Sequence, residues 1–191
     1  MADIPVKVWD EKIVYQGRII EVVEREMQIW DKRKTFEFAR RSPGTRLIIV
    51  NDTHQMLITK EWRSELEAFD YRLPGGKVFD TLNEYNAALS NNSDITEKAK
   101  QGAALEAEQE CGLAIQDPEL FALSKCGATV VWDLYYFVVK KYTVLPTQSL
   151  EHGEHISCHR MSFDELEKIC LGKEFSEDRS AAMIMKYLKN S

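Results

Sequence analysis

Two glutamates four residues apart are the side chains in this sequence whose types and spacing could do chemistry. Glu106 and Glu110 lie in the segment 95–111, which is rich in helix formers, so their carboxylates are predicted to stack on one helix face. Like charges placed this way repel each other, and a bound divalent cation would offset the repulsion. Oxygen ligands favour Mg2+, with Mn2+ as the second candidate. The alternative that the spacing leaves open is a solvated acidic helix face.

A sharp turn is predicted ahead of this helix. The segment 74–76 reads Pro-Gly-Gly and follows a strand-like run, so it combines one fixed and two permissive backbones at the end of a strand. Asp94 is the predicted N-cap of the helix, and Gly112 supplies its C-terminal stop. The sequence therefore predicts a strand, a glycine turn and a helix that carries both glutamates.

The turn and the helix together resemble the Nudix box, whose pattern is G-x5-E-x7-R-E-U-x-E-E-x-G-U. The tail of the motif fits without a gap; the matching residues are Gly76, Glu97, Glu106, Ala107, Glu110, Gly112 and Leu113. The box is divergent, because Leu105 stands at the arginine position and Gln109 at a glutamate position. From Gly76 to Glu97 the chain takes 97 − 76 = 21 steps where the motif takes six, so 15 residues are inserted. Such a bulge costs little closure free energy.

The order of segments along the chain is similar to that of the ADP-ribose and nucleotide-sugar pyrophosphatase branch of the family. The matching segments are 17–20, 60–63, 73–76 and 153–156. The resemblance implies an α/β fold, a Nudix-like α/β/α sandwich with a mixed central sheet and an N-terminal β-hairpin extension. Residues 1–45 would form N-terminal strands that build a homodimer. Residues 46–191 would form the catalytic domain, with an inserted surface loop near 80–94.

The resemblance also implies a reaction and a metal. Glu106 and Glu110, with the main-chain carbonyl of Gly75, would hold Mg2+, and both glutamates would be catalytic. Water would attack one phosphorus of ADP-ribose or a related nucleoside diphosphate sugar, while the cation neutralises charge on the diphosphate. The products would be a nucleoside monophosphate and a sugar phosphate.

Further site residues follow from the same resemblance. Arg63 and Gly76 would contact the substrate. A surface salt bridge is an equally good interpretation of Arg63. The general base would be Glu154, or else Glu151, from a loop before the last strand. An exposed acidic loop is the alternative for both of these residues.

Two rival functions remain open at this level. Leu105 cannot donate the hydrogen bond that an arginine would, and Gln109 removes a carboxylate, so the chain could be a nucleotide-binding module with little or no turnover. A Nudix hydrolase of nucleoside triphosphates fits the box equally well, but it fits the N-terminal strands poorly. The retained glutamates and glycine turn favour the enzyme.

Charge and composition limit the partners. The net charge of -6 argues against binding to nucleic acid or to an anionic membrane surface, which need a basic excess. The N-terminus shows no apolar leader and the chain no spanning apolar run, so a cytoplasmic protein without a membrane partner is expected. The four cysteines form no C-x-x-C pair, and the histidines at 152, 155 and 159 match no standard metal motif.

Several other elements are predicted from local patterns. Segments 18–30 and 35–39 form one hairpin, and segments 47–50 and 56–59 form a second around a polar turn. Segment 130–139 is a single long strand. A helix follows the capping box of Ser162 and Glu165, and an amphipathic helix closes the chain from Ser176 to Lys189.

Overall fold

The structure is a computed structural model that describes residues 6–150 and 152–190. Its strands are β1 (Val6–Gln16), β2 (Glu21–Ile29), β3 (Lys32–Arg40), β4 (Gly44–Ile49), β5 (Gln55–Arg63), β6 (Ala68–Arg72), β7 (Leu113–Gln116), β8 (Glu119–Ser124), β9 (Val130–Val131), β10 (Leu134–Val139), β11 (Lys141–Val144) and β12 (Ile156–Ser162). Its helices are α1 (Leu82–Ser90), α2 (Ile95–Cys111), α3 (Phe163–Cys170) and α4 (Asp178–Asn190). Contacts divide the chain into two compact units.

The first unit takes the chain up to Pro43 together with Phe79–Ser93 and Lys125–Asp133. Its sheet has the order β1-β2-β3-β9, with antiparallel pairs except for the parallel pair of β3 and β9. The predicted hairpin of β2 and β3 is confirmed, and its turn contains Trp30 at a φ of 58°. Val23 and Phe38 are buried in this unit. The unit exceeds the predicted N-terminal segment because α1 and β9 join it.

Helix α1 replaces the surface loop that we expected near 80–94, so that prediction was wrong. The Thr81 hydroxyl accepts from Glu84 N–H at 3.2 Å, and the Glu84 carboxylate accepts from Thr81 N–H at 3.3 Å. This capping box satisfies donors at the helix start. The buried residues Leu82, Tyr85 and Ala88 recur every three positions. The helical period is present, but the helix has only 9 residues and its polar composition hid it.

The second unit takes Gly44–Val78, Asp94–Ser124 and the chain from Leu134 onward. One sheet has the order β4-β10-β8 and is mixed, since β10 is parallel to β4 and antiparallel to β8. A second antiparallel sheet has the order β12-β5-β6, and β11 pairs with β7. The residues of β4 and β10 are buried throughout, as expected for strands covered on both faces.

The predicted second hairpin was wrong, because β4 and β5 belong to different sheets. The polar turn is present, and the Asn51 side chain accepts from the backbone N–H groups of Thr53 and Gln55. Beyond it the strands share only the isolated bridge of Val50 and Met56. Strand β4 instead pairs along its length with β10, which lies far along the chain. A local pattern cannot reveal such a partner.

The single strand predicted for 130–139 was also wrong. It is divided at Trp132 and Asp133 into β9, which pairs with β3, and β10, which pairs with β4 and β8. The two strands belong to different units. The run of β-branched and aromatic residues concealed this interruption.

Helix α2 packs on β4, β10 and β7. Ala99, Ala103 and Ala107 lie four residues apart and are fully buried, so the small side chains let the helix approach the strands closely. The predicted capping box of Ser162 and Glu165 starts α3, which contacts β12, β5 and α4. The four cysteines are free thiols. Within the described part of the chain, no helix is both long enough and apolar enough to span a bilayer.

Candidate active site

The Pro-Gly-Gly turn at 74–76 follows β6 and is held against β4. The backbone N–H of Thr45 donates to the carbonyl of Gly76 at 2.9 Å. Gly75 has a φ of 144°, and a Cβ at this position would overlap the Thr45 carbonyl. Glycine is therefore required at position 75 both by the backbone conformation and by the space.

Helix α2 begins and ends where its sequence predicts. The Asp94 side chain accepts from the N–H groups of Thr96 and Glu97 at the start, and Gly112 closes the helix at a φ of 62°. These caps fix where the helix begins and ends, and the buried face of Ala99, Ala103 and Ala107 sets the direction in which Glu106 and Glu110 point.

Both of these glutamates lie against the glycine turn. The Glu110 Oε2 atom accepts from the Gly75 N–H at 2.7 Å. A Cβ on Gly76 would overlap the carboxylate of Glu106, so this carboxylate occupies the space that the missing side chain leaves. The alternative of a solvated acidic helix face does not describe these two residues.

The pKa of Glu110 is raised to about 8. Burial is the largest cause, and the nearby carboxylates of Glu106 and Glu61 raise it further. The Gly75 N–H and the Arg46 guanidinium act in the opposite direction but do not outweigh burial. The second unit therefore holds an acidic group in a place that favours neutralisation by a proton or by a cation.

A cleft of the second unit collects these groups and several more. Its charged and polar lining residues are Arg46, Thr59, Glu61, Arg63, Arg72, Lys77, Glu106, Gln109, Glu110 and Glu154. Leu73, Gly75 and Gly76 complete the lining. Carboxylates and cations thus share one concave site, which is the arrangement that a metal and a phosphorylated ligand together require.

The donor set fits a hard cation. The two carboxylates at the turn offer oxygen only, and the Glu106 carboxylate fills the space that a side chain at Gly76 would take. In residues 6–150 and 152–190, no group of three or more His, Cys, Asp or Glu side chains has the spacing of a metal site. The carboxylates of Glu106 and Glu110 are oxygen donors, and oxygen ligands suit Mg2+ or Mn2+.

His159 is one of the three clustered histidines and lies on β12. Its Nε2 is 2.9 Å from the Ser157 hydroxyl, and its ring and that of Tyr71 form a T-shaped pair. Among the described residues, no group of three or more possible side-chain ligands includes a histidine.

The structure brings most of the residues predicted from the resemblance to this cleft. Arg63 and Glu154 line it together with Gly75, Gly76 and the two helix glutamates. Glu151, the other candidate for a general base, lies outside the described residues. The roles of all these residues remain predictions.

Arg46 and Arg72 are cleft residues that the sequence analysis missed. Arg46 is a charged residue inside the buried strand β4, where it forms a bidentate ion pair with Glu177 at 3.0 Å for both bonds. A charge in a strand that is otherwise buried was the available signal, since such a charge needs a partner. Arg72 directly precedes the Leu-Pro-Gly-Gly segment, and its position alone does not distinguish it from a surface residue.

Comparisons with known proteins support the fold. No family model and no curated protein matches the sequence. Among solved structures, one described as an ADP compounds hydrolase matches with a TM-score of 0.67, 13% identity, and coverage of 97% of this chain and 95% of that chain. At this identity the likeness concerns the fold alone. The predicted mixed α/β fold with an N-terminal hairpin is thereby confirmed.

Proposed function

We propose that this protein is a Mg2+-dependent hydrolase of the Nudix type that cuts the diphosphate of ADP-ribose or a related nucleoside diphosphate sugar. The observation that carries the proposal is the placement of Glu106 and Glu110 against the Gly75-Gly76 turn. The fold likeness to a structure described as an ADP compounds hydrolase supports a substrate with a nucleoside diphosphate. The products are a nucleoside monophosphate and a sugar phosphate.

Several groups of the cleft take part in this proposed reaction. Glu106, Glu110 and the Gly75 carbonyl would hold Mg2+, which supplies charge neutralisation at the diphosphate when bound. The cleft cations orient the diphosphate for attack by water on one phosphorus. Glu154, from the segment between β11 and β12, is the proposed acceptor of the proton that this water loses.

The test is product formation by the purified chain. We expect the protein with Mg2+ to release AMP or another monophosphate from a panel of ADP-ribose, nucleotide sugars and nucleoside triphosphates. Glu110→Gln should lower the rate by at least about 100-fold, as for removal of a charge-stabilising group. Glu108→Gln is the matched control, because Glu108 is exposed on the same helix, and it should retain the wild-type rate.

A nucleotide-binding module is the second candidate, and two observations favour it. Leu105, at the arginine position of the box, is 54% exposed and offers no donor. Arg63, the predicted substrate contact, is already held by Glu61 and Glu65. Retained affinity for the panel compounds without any product would support this candidate over the enzyme. Cleavage confined to the triphosphates would instead favour the sanitising type of hydrolase.

A further inference from the structure

Two arginines on neighbouring strands reach the same cleft, but their hydrogen bonds differ. Arg63 donates from Nε and Nη2 to Glu65 at 2.8 and 2.5 Å, and from Nη1 to Glu61 at 2.9 Å. All three nitrogens of Arg63 are thus engaged by carboxylates. An incoming phosphate would have to displace Glu61 or Glu65 in order to bind this guanidinium.

Arg72 keeps part of its guanidinium available. Its Nε donates to Asp70 Oδ2 at 2.8 Å, and its Nη2 makes a longer contact of 3.3 Å with the Ser176 hydroxyl. Within the described ranges, its Nη1 donates to no protein acceptor. The side chain is 16% exposed, so this nitrogen belongs to a largely desolvated cation that lines the cleft.

Asp70 fixes the orientation of Arg72. The Asp70 side chain is 2% exposed, and its two oxygens also accept from the Ser176 N–H at 2.8 Å and the Ser176 hydroxyl at 2.7 Å. A carboxylate held in this way cannot follow a moving guanidinium. Arg72 is therefore preorganised, and binding an anion through Nη1 costs little side-chain entropy.

The position of Arg72 is suited to a diphosphate. It is the last residue of β6 and lies three residues before Gly75, whose N–H bonds to Glu110. In the register of the sheet it faces Thr59, another residue of the cleft. A phosphate that meets the metal-binding carboxylates and the glycine turn can thus meet Arg72 from the strand that leads into that turn.

We propose that Arg72, held by Asp70 and Ser176, is the principal arginine contact to the diphosphate of the substrate. Nη1, with Nη2, donates to non-bridging phosphate oxygens, while Arg63 stays bonded to its two glutamates. The identity of the ligand rests on the proposed function. The hydrogen bonds of Arg72 to Asp70 and Ser176 do not depend on that function.

The test is binding of methylenediphosphonate, a pyrophosphate analogue with an uncleavable P–C–P bridge, measured by calorimetry on the full chain with Mg2+. Losing a charge-assisted hydrogen bond at Arg72→Gln should weaken binding by about 10- to 100-fold. Arg63→Gln should change the affinity less than Arg72→Gln does. Arg160→Gln is the matched control, because Arg160 is exposed on β12 and stacks on Tyr142, and it should bind as the wild type does.

Arg72→Gln leaves the buried Asp70 without its cation, so a second variant guards against a folding defect. Arg72→Lys keeps a charge beside Asp70 but loses the planar fork, and it should fold normally and bind about 10-fold more weakly. The affinity for Mn2+, followed by electron paramagnetic resonance, should be unchanged in both variants. A purely structural role for Arg72 would lower both affinities together and would overturn the proposal.

The outcomes separate this proposal from the proposed function. Wild-type affinity for methylenediphosphonate in both Arg72 variants, in a chain that cleaves ADP-ribose, would overturn the role of Arg72 and leave the hydrolase intact. Arg72-dependent binding by a chain that cleaves no panel compound would support the contact and refute the hydrolase. A wild-type chain that does not bind the analogue would also overturn the contact.

Discussion

At the scale of single residues, Glu110 couples the stability of the fold to the pH. Its carboxyl group has a pKa of about 8 because it is buried beside Glu106 and Glu61. In the unfolded chain the same group would titrate near its ordinary value of 4.5. Between these two pH values the folded protein holds a proton that the unfolded chain has lost. The stability of the metal-free protein must then fall as the pH rises through this window.

We expect Glu110→Gln to remove this dependence. The contribution of Glu110 to the free energy of unfolding should decrease by up to about 1.4 kcal/mol per pH unit between pH 5 and 8. Urea unfolding of metal-free wild type and Glu110→Gln at several pH values measures the difference between the two slopes. Equal slopes in both proteins would show that Glu110 titrates normally. Saturating Mg2+ should raise the stability of the wild type at pH 8 and leave that of the variant unchanged.

At the scale of elements, the Pro-Gly-Gly turn and helix α2 fit closely against each other. The turn presents main chain without side chains, and the helix places its carboxylates into that space. The caps at Asp94 and Gly112 set the ends of the helix, and the Glu110 bond to the Gly75 N–H ties it to the turn. The proposed metal site thus depends on the absence of a Cβ at the turn as much as on the presence of the glutamates.

Gly76→Ala tests whether the close fit between the turn and helix α2 supports metal binding. The added Cβ would overlap the Glu106 carboxylate and push it away from the turn, so we expect Mg2+ affinity to fall by about 10-fold or more, which is typical when groups around a metal site are disturbed. Gly102→Ala on α2 is the control: its Cβ would meet its nearest atom at 3.5 Å, an ordinary contact. The control should keep its metal affinity and gain about 0.5–1 kcal/mol of stability. Equal metal affinity in both variants would show that Mg2+ binding does not depend on this fit.

At the scale of the whole molecule, the sheet of the first unit exposes several large apolar side chains. They include Val8 (50%), Trp9 (45%), Tyr15 (61%), Trp30 (57%) and Phe36 (41%). By the strand register, Val8, Ile13 and Phe36 lie on one face of this sheet, and apolar side chains exposed together on one face mark interaction surfaces. The resemblance to nucleotide-sugar pyrophosphatases predicts that these strands build a homodimer.

Light scattering tests the predicted dimer. We expect a mass of twice the 22.1 kDa chain at micromolar concentration. The double variant Val8→Asp with Ile13→Asp should lower the mass to that of one chain, because both residues pair with positions of β2 four apart and so place their charges on one face of the sheet. Leu171→Asp, at a residue that is 77% exposed in the second unit, should leave the dimer intact. A wild-type mass of one chain would refute the prediction.

Local signals in the sequence were sufficient for the helix and turn at the centre of the site. Helix α2 begins after Asp94 and ends before Gly112 as predicted, because capping depends on atoms within a few residues. The stacking of Glu106 above Glu110 follows from helix geometry alone. The resemblance to the Nudix box then brought the turn and the helix together, and the contacts of Gly75 and Gly76 agree with it.

Only the tertiary structure decided the strand partners and the arginines of the cleft. Strand β4 pairs with β10 rather than with its neighbour β5. Arg46 forms an ion pair with Glu177, which is 131 positions away, and Arg72 contacts Ser176, which is 104 positions away. The sequence determined the sharp turns and the helices α2, α3 and α4, since those depend on short-range hydrogen bonds, but it did not reveal α1. Pairing across the chain depends on which distant surfaces become buried together, and no local pattern records that.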